Sequence, residues 1–167
     1  MTAAGQLVVA LPIADRRASC RFYVEGLGFD AIGEPAQDGV PEPLQFALND
    51  GVRIMLVPTG GFGWIIGDRE VASRGRSECV LSLGAETEAD VAEVVERARR
   101  AGAHVITEPG RQPWGFSGAF ADPDGHVWMV TSERRWSEKR RPSSAAQPVS
   151  DSCAAASPRA PAVRFLE

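Results

Sequence analysis

Histidine is almost missing from these 167 residues: His104 and His126 are the only two. Cysteine is nearly as scarce, and its three copies, Cys20, Cys79 and Cys153, include no C-x-x-C pair. An odd count without pairing excludes a disulfide framework and fits reduced thiols in a cytoplasm. No histidine holds an evident partner position for a catalytic thiol, so Cys20 and Cys79 read as small core residues. Long apolar runs are absent, which excludes a membrane-spanning helix. The short apolar run 7–14 follows no basic segment, so a signal peptide is not expected. Positive charge is lacking from the body of the chain. Residues 1–133 hold 11 Lys/Arg against 19 Asp/Glu, while residues 134–167 hold 7 against 3. An acidic body excludes a nucleic-acid groove, which needs clustered Lys/Arg on a folded face. It is compatible with a cationic ligand.

What the chain does have is a repeat. Asn49-Asp50-Gly51-Val52-Arg53-Ile54-Met55 returns 74 residues later as Pro123-Asp124-Gly125-His126-Val127-Trp128-Met129. The same offset relates Gly28 to Gly102, Ile32 to Ile106 and Glu34-Pro35 to Glu108-Pro109. Each copy reads β-α-β-β-β. In the first, Leu7 to Ala14 is a strand in which Pro12 suggests an edge or a bulge. Asp15 caps a helix that Gly26 and Gly28 end. Phe29 to Gly33 is a strand, 34–43 a loop, and 44–48 with 52–57 a hairpin around Asn49-Asp50-Gly51. In the second, Glu78 to Leu83 is a strand, and a helix runs from Thr87 to Ala101 with Thr87 and Asp90 resembling a capping box. His104 to Thr107 is a strand, Glu108 to Phe116 a loop, and 118–121 with 126–131 the closing hairpin. Between the copies lies a crossover loop, 59–77, too apolar for a plain linker. The domain is therefore expected over 1–136, with modules at 6–58 and 78–132. Residues 137–167 are rich in Ala, Ser and Pro with no apolar period and read as a disordered tail.

This duplicated pattern, the helix end Phe22-Tyr23-Val24-Glu25-Gly26-Leu27-Gly28-Phe29, and Asp122-Pro123-Asp124-Gly125-His126 before the last strand together resemble the vicinal oxygen chelate superfamily. That group includes glyoxalase I, extradiol dioxygenases and bleomycin-binding proteins. The resemblance implies an α+β fold: two tandem βαβββ modules forming a curved, mostly antiparallel sheet around a cavity, in a homodimer. It also implies four positions where metal enzymes of the group carry ligands. Here they fall on Val8, Met55, Glu78 (or Ser77) and Met129. Valine cannot bind a metal, thioether is soft, and one carboxylate does not make a catalytic metal centre. No metal and no cofactor are expected.

The remaining candidates fit a ligand pocket. Met55 and Met129 give an adaptable apolar lining. Phe62, Trp64, Trp114 and Phe116 offer stacking surfaces, and Glu78 and Arg111 polar anchors. Each has an ordinary structural role open to it as well: strand methionines fill cores, and loop aromatics anchor loops. Trp128 neighbours Met129 and so faces the helix. Three functions stay open. The residues favour a metal-independent small-molecule binding protein, drug-sequestering in the manner of bleomycin resistance, taking an aromatic or cationic ligand. A metal-dependent glyoxalase-like lyase, isomerase or dioxygenase rests on the resemblance alone. A metal-free enzyme would use Glu78 as general base, its pKa raised by burial.

Overall fold

The computed structural model describes residues 5–77 and 79–132. Two four-stranded sheets have the same topology. The first module comprises β1 (Leu7–Ile13), helix α1 (Arg16–Arg21), β2 (Ala31–Ile32), β3 (Leu44–Asn49) and β4 (Val52–Pro58), with strand order β1-β4-β3-β2. Helix α2 (Thr59–Ile66) opens the crossover. The second module comprises β5 (Val80–Ala85), helix α3 (Glu88–Arg100), β6 (His104–Gln112), β7 (Gly115–Ala121) and β8 (Val127–Ser132), with order β5-β8-β7-β6. In each sheet the first and last strands pair parallel and the rest antiparallel. The duplicated β-α-β-β-β units expected from sequence are therefore present, and β1 is an edge strand, which accommodates Pro12.

Local chemistry sets the helix ends. The Asp15 carboxylate accepts from the Ala18 amide at 2.9 Å and starts α1. Thr87 and Asp90 form a complete capping box at α3. Gly28 and Gly102 both take positive φ just past their helices, where a side chain would be strained. The helices themselves differ. Helix α3 is regular, whereas α1 passes directly into a π-helical turn, Phe22–Gly26. The wider turn lets the consecutive residues Phe22 and Tyr23 both be buried.

Four boundaries depart from the expectations. The strand drawn over 29–33 shrinks to Ala31–Ile32, because Phe29 turns inward against Tyr23, Phe46 and Trp128. The loop drawn over 108–116 is mostly hairpin. Strand β6 runs on to Gln112, with register shifts between Val105 and Gly110 that accommodate Pro109. The first strand of module two begins at Val80. The crossover drawn as loop contains α2, whose three glycines argue against a helix. It forms because it packs on β1 and β4. The tail, 137–167, lies outside the described residues, as do Trp136, Cys153 and Glu78.

One core joins the modules. The helix-facing sides of the sheets contribute Leu11, Ile13, Phe46, Ile54 and Leu56 from the first, and Phe120, Trp128 and Val130 from the second. Tyr23 lies between them, 5.3 Å from Phe46 and 5.9 Å from Trp128 between ring centroids. Where the helices meet, a Cβ on Gly26 would sit 2.6 Å from Ala101 Cβ, so only glycine fits. Likewise Gly118 lets Val95 of α3 lie on β7, since a Cβ there would stand 2.9 Å from its methyl.

Candidate functional site

Strand alternation determines which side chains can meet a ligand. Along β4, Ile54 and Leu56 are buried in the core, so Arg53, Met55 and Val57 take the opposite face. Along β8, Trp128 and Val130 are buried, and Val127, Met129 and Thr131 take the opposite face. Neither methionine is in the core; both are half-buried. Their settings correspond. Met55 lies opposite Ala10 on β1 and Gln45 on β3. Met129 lies opposite Ser82 on β5 and Ala119 on β7. Gln45 Nε2 approaches the Met55 sulfur at 3.9 Å. Val8, opposite Arg53, shares the Met55 face. In strand register its counterpart in module two is Val80, opposite Val127, an offset of 72 residues.

A cavity of about 730 Å³ lies beside these faces, and neither Met55 nor Met129 lines it. Ala10 and Pro12 of the Met55 face line it, as does Val127 of the Met129 face. Phe62 and Ile66, one turn apart on α2, cover it. The crossover closes the rim with Arg69, Glu70, Arg74, Arg76 and Ser77, and Cys79 and Leu81 form the base of the far wall. The volume falls in the range of small-molecule sites, roughly 300–1,000 Å³.

The turn 122–125 closes the cavity's end and holds the modules in register. Asp122 Oδ1 accepts from the amides of Asp124, Gly125 and His126 at 2.8–3.0 Å. Its Oδ2 accepts from the Tyr23 hydroxyl at 2.5 Å. Asp124 accepts from the Ala14 amide and from Ser19 Oγ, at 2.8 and 2.9 Å. His126 Nε2 lies 2.7 Å from the Pro12 carbonyl, which only accepts, so this nitrogen carries the proton. Burial, and then the charge of Asp122, push the Tyr23 hydroxyl well above the ordinary tyrosine range. Asp122, Asp124 and His126 thus serve as an inter-module clamp.

The other candidates are spread out. Phe62 lines the cavity, while Trp64, two residues on, points away and is 88% exposed. Trp114 is exposed at the β6–β7 turn. Arg111 and Phe116 are opposite each other on the helix side of the second sheet. They border a separate hollow of about 490 Å³ beside the start of α3, where Arg111 pairs with Glu88 at 2.9 Å. Glu78, being outside the described residues, is not placed. Sequence reasoning missed Arg53, Gln45 and the crossover arginines. Parity with Met55 would have found Arg53, since alternate residues of one strand share a face.

The described donor set does not suit a hard divalent metal. Thioethers occupy both last-strand positions, and valine occupies the first-strand position of module one. Among the described residues no three His, Cys, Asp or Glu side chains gather to share an ion. Nor, among these residues, is any helix long and apolar enough to cross a membrane.

Comparison with known proteins agrees with this architecture. No curated protein matches the chain significantly. Among solved structures, a glyoxalase-related enzyme from Fulvimarina pelagi is 28% identical, with a TM-score of 0.66 over 79% of this chain and 88% of its own. A hypothetical protein from S. aureus gives 23% identity and 0.64 over 76% and 92%. TnmS3, an antibiotic-binding protein from a Streptomyces species, gives 26% identity and 0.55 over 79% and 98%. The sequence pattern of one family spans residues 5–130, and the chain belongs to it: the glyoxalase/bleomycin resistance protein/dioxygenase superfamily.

Proposed function

We propose that this protein binds a small molecule without a metal and sequesters it rather than transforming it. The observation that carries this reading is the cavity of about 730 Å³, which takes Ala10 and Pro12 from the Met55 face and Val127 from the Met129 face, while both thioethers stand half-buried beside it. Thioethers line an apolar ligand site well because they are flexible and polarisable. The likeness to TnmS3, described as an antibiotic-binding protein, supports the same reading. Phe62 lines the cavity; Val8, on the Met55 face, and Glu78, as a polar contact, keep their places as proposed ligand contacts. We place the protein in the cytoplasm, where its thiols stay reduced.

The proposal includes a homodimer. Leu7 and Val8 on β1 and Val80 on β5 are 44–61% exposed on edge strands. A single chain leaves both methionine faces open, and a second copy laid over them would complete a closed site. Sedimentation of the purified protein is expected to give twice the chain mass; a monomer at all concentrations would remove this part.

The test of function combines metal analysis with titration calorimetry. The expected outcome is protein without stoichiometric Ni, Zn, Fe or Mn that binds a flat aromatic antibiotic and returns it unchanged. Stoichiometric tightly held metal would overturn the reading in favour of a glyoxalase-type or dioxygenase enzyme. Turnover abolished in Glu78→Gln with binding intact would turn it toward a metal-free enzyme.

A further inference from the structure

We infer that Arg53 anchors an anionic group of the ligand, so that the site takes apolar or aromatic acids (carboxylates, sulfonates or phosphate esters) in preference to cations. The inference rests on the reading of the methionine faces as the ligand surface. Arg53 is on the Met55 face of β4, two residues from the thioether. Its cross-strand neighbours there are Val8 and Ala47, neither able to neutralise or hydrogen-bond it. Among the described residues it makes no ion pair. Its Nε is buried with no hydrogen-bond partner. A guanidinium nitrogen withdrawn from water and left unpaired is destabilising, and such groups call for a partner. An oxyanion would pair the same guanidinium through its outer nitrogens, because the planar fork presents more than one donor at once.

The fold itself does not require the charge. Module two makes the same strand pairs at the equivalent position with Val127, opposite Val80 and Ala121 as Arg53 is opposite Val8 and Ala47. Duplication kept the methionine in both modules and the cation in one. The spacing suits an elongated ligand. Pro12, which lines the cavity, pairs with Val57, four residues from Arg53 and roughly 13 Å along the strand. A molecule with its acid at Arg53 and its body across Met55 would reach the cavity. There Arg69, Arg74, Arg76, Glu70 and Asp124 share the lining, with Arg74 4.0 Å from Asp124, which also accepts from Ala14 and Ser19.

The test compares two dyes of similar shape by fluorescence titration of the full chain: 8-anilinonaphthalene-1-sulfonate, an anion, and N-phenyl-1-naphthylamine, which is neutral. Arg53→Val installs the residue module two uses, and Arg53→Gln keeps the length of the stem. Both are expected to melt as wild type and to bind the neutral dye unchanged. Both are expected to lose about tenfold or more in sulfonate affinity, as befits a charged hydrogen bond. Equal sulfonate affinity in wild type and variants would overturn the inference. So would an equal loss of both dyes, which would make the arginine stem part of the apolar lining. Wild type that binds neither dye removes the ligand-face reading as well; wild type that binds both, with no dependence on Arg53, removes only this inference.

Discussion

The two modules share topology and register yet are finished differently. Met55 and Met129 occupy matching places between a first and a third strand. Around Met55 stand Gln45 and Arg53; around Met129 the corresponding residues are Ala119 and Val127. On the helix side, module one widens into the π-helical turn and sends Tyr23 across to Asp122, whereas module two keeps a regular thirteen-residue helix. Backbone pairing is thus common to both. The polar groups beside the methionine fall to module one, and the buried carboxylate that ties the modules together falls to module two. A duplicated fold supplies two equivalent faces, and divergence at a few outward positions makes them chemically different.

The largest test of this division sets neighbouring residues of β8 against each other. Trp128→Ala removes a fully buried indole that packs on Tyr23 and Phe29 and is expected to cost about 3–5 kcal/mol. Met129→Ala, one residue on but on the other face, is expected to cost about 1 kcal/mol or less and to weaken ligand binding instead. Urea denaturation measures the first, dye titration the second. Similar losses of stability at both positions would show that Met129 serves the core and that the faces are not functionally distinct.

That alternation was legible in the sequence, because period-two patterning and the Asp-Gly turns specify strands locally. The repeat of Met55 as Met129 gave the architecture for the same reason. Less legible were features settled by packing at a distance. The glycines of α2 signal a loop, and only contact with β1 and β4 makes them helical. Phe29 belongs to a strand by propensity and to the aromatic core by position. Arg111 and Phe116 looked like ligand contacts because loop 108–116 was expected to be irregular; as hairpin strands they turn to the α3 side. The 74-residue offset does not extend back to the first strands. Module one has 11 residues from Arg16 to Gly26 and module two 13 in α3, which displaces the β1–β5 match to 72. Arg53 passed unnoticed because a charged residue in a strand reads as solvated until its partners are examined.

A second test cuts the tie between modules. Tyr23→Phe leaves Asp122 Oδ2 without its hydroxyl donor in a buried setting and is expected to cost about 1–3 kcal/mol. Because Tyr23 is the chain's one tyrosine, its ionisation can be followed directly by ultraviolet absorbance. Its folded pKa lies above the unfolded value of about 10. Above that pH the unfolded state has released the proton while the folded state still holds it. The tyrosine contribution is therefore fully present below pH 10 and is lost as pH rises toward the folded value. Wild type is expected to show phenolate absorbance only together with unfolding, whereas a reversible rise near pH 10 with the fold intact would mean the hydroxyl is reached by water. Stability of Tyr23→Phe should lack this alkaline decline.

The smallest expected effect concerns the two helices that differ most in construction. Helix α3 has a capping box and the Glu96 pairs with Arg99 and Arg100. Helix α2 has no side-chain cap and places Gly60, Gly61 and Gly63 within eight residues, at the cover of the cavity. Each glycine inside a helix costs about 1 kcal/mol relative to alanine, through the backbone freedom it surrenders. A Cβ added at Gly60 or Gly63 meets nothing within 4 Å, and neither takes a positive φ. Gly60→Ala with Gly63→Ala should therefore stabilise α2 by about 1–2 kcal/mol locally while changing global stability little. Hydrogen exchange is expected to slow over 59–66 and to stay as it was over 88–100. If α2 must open to admit a ligand, association of the neutral dye should slow by the same factor as amide exchange, because both draw on one opening equilibrium. Slower exchange with unchanged association would place the ligand's entry elsewhere along the open methionine faces and leave α2 as a fixed wall.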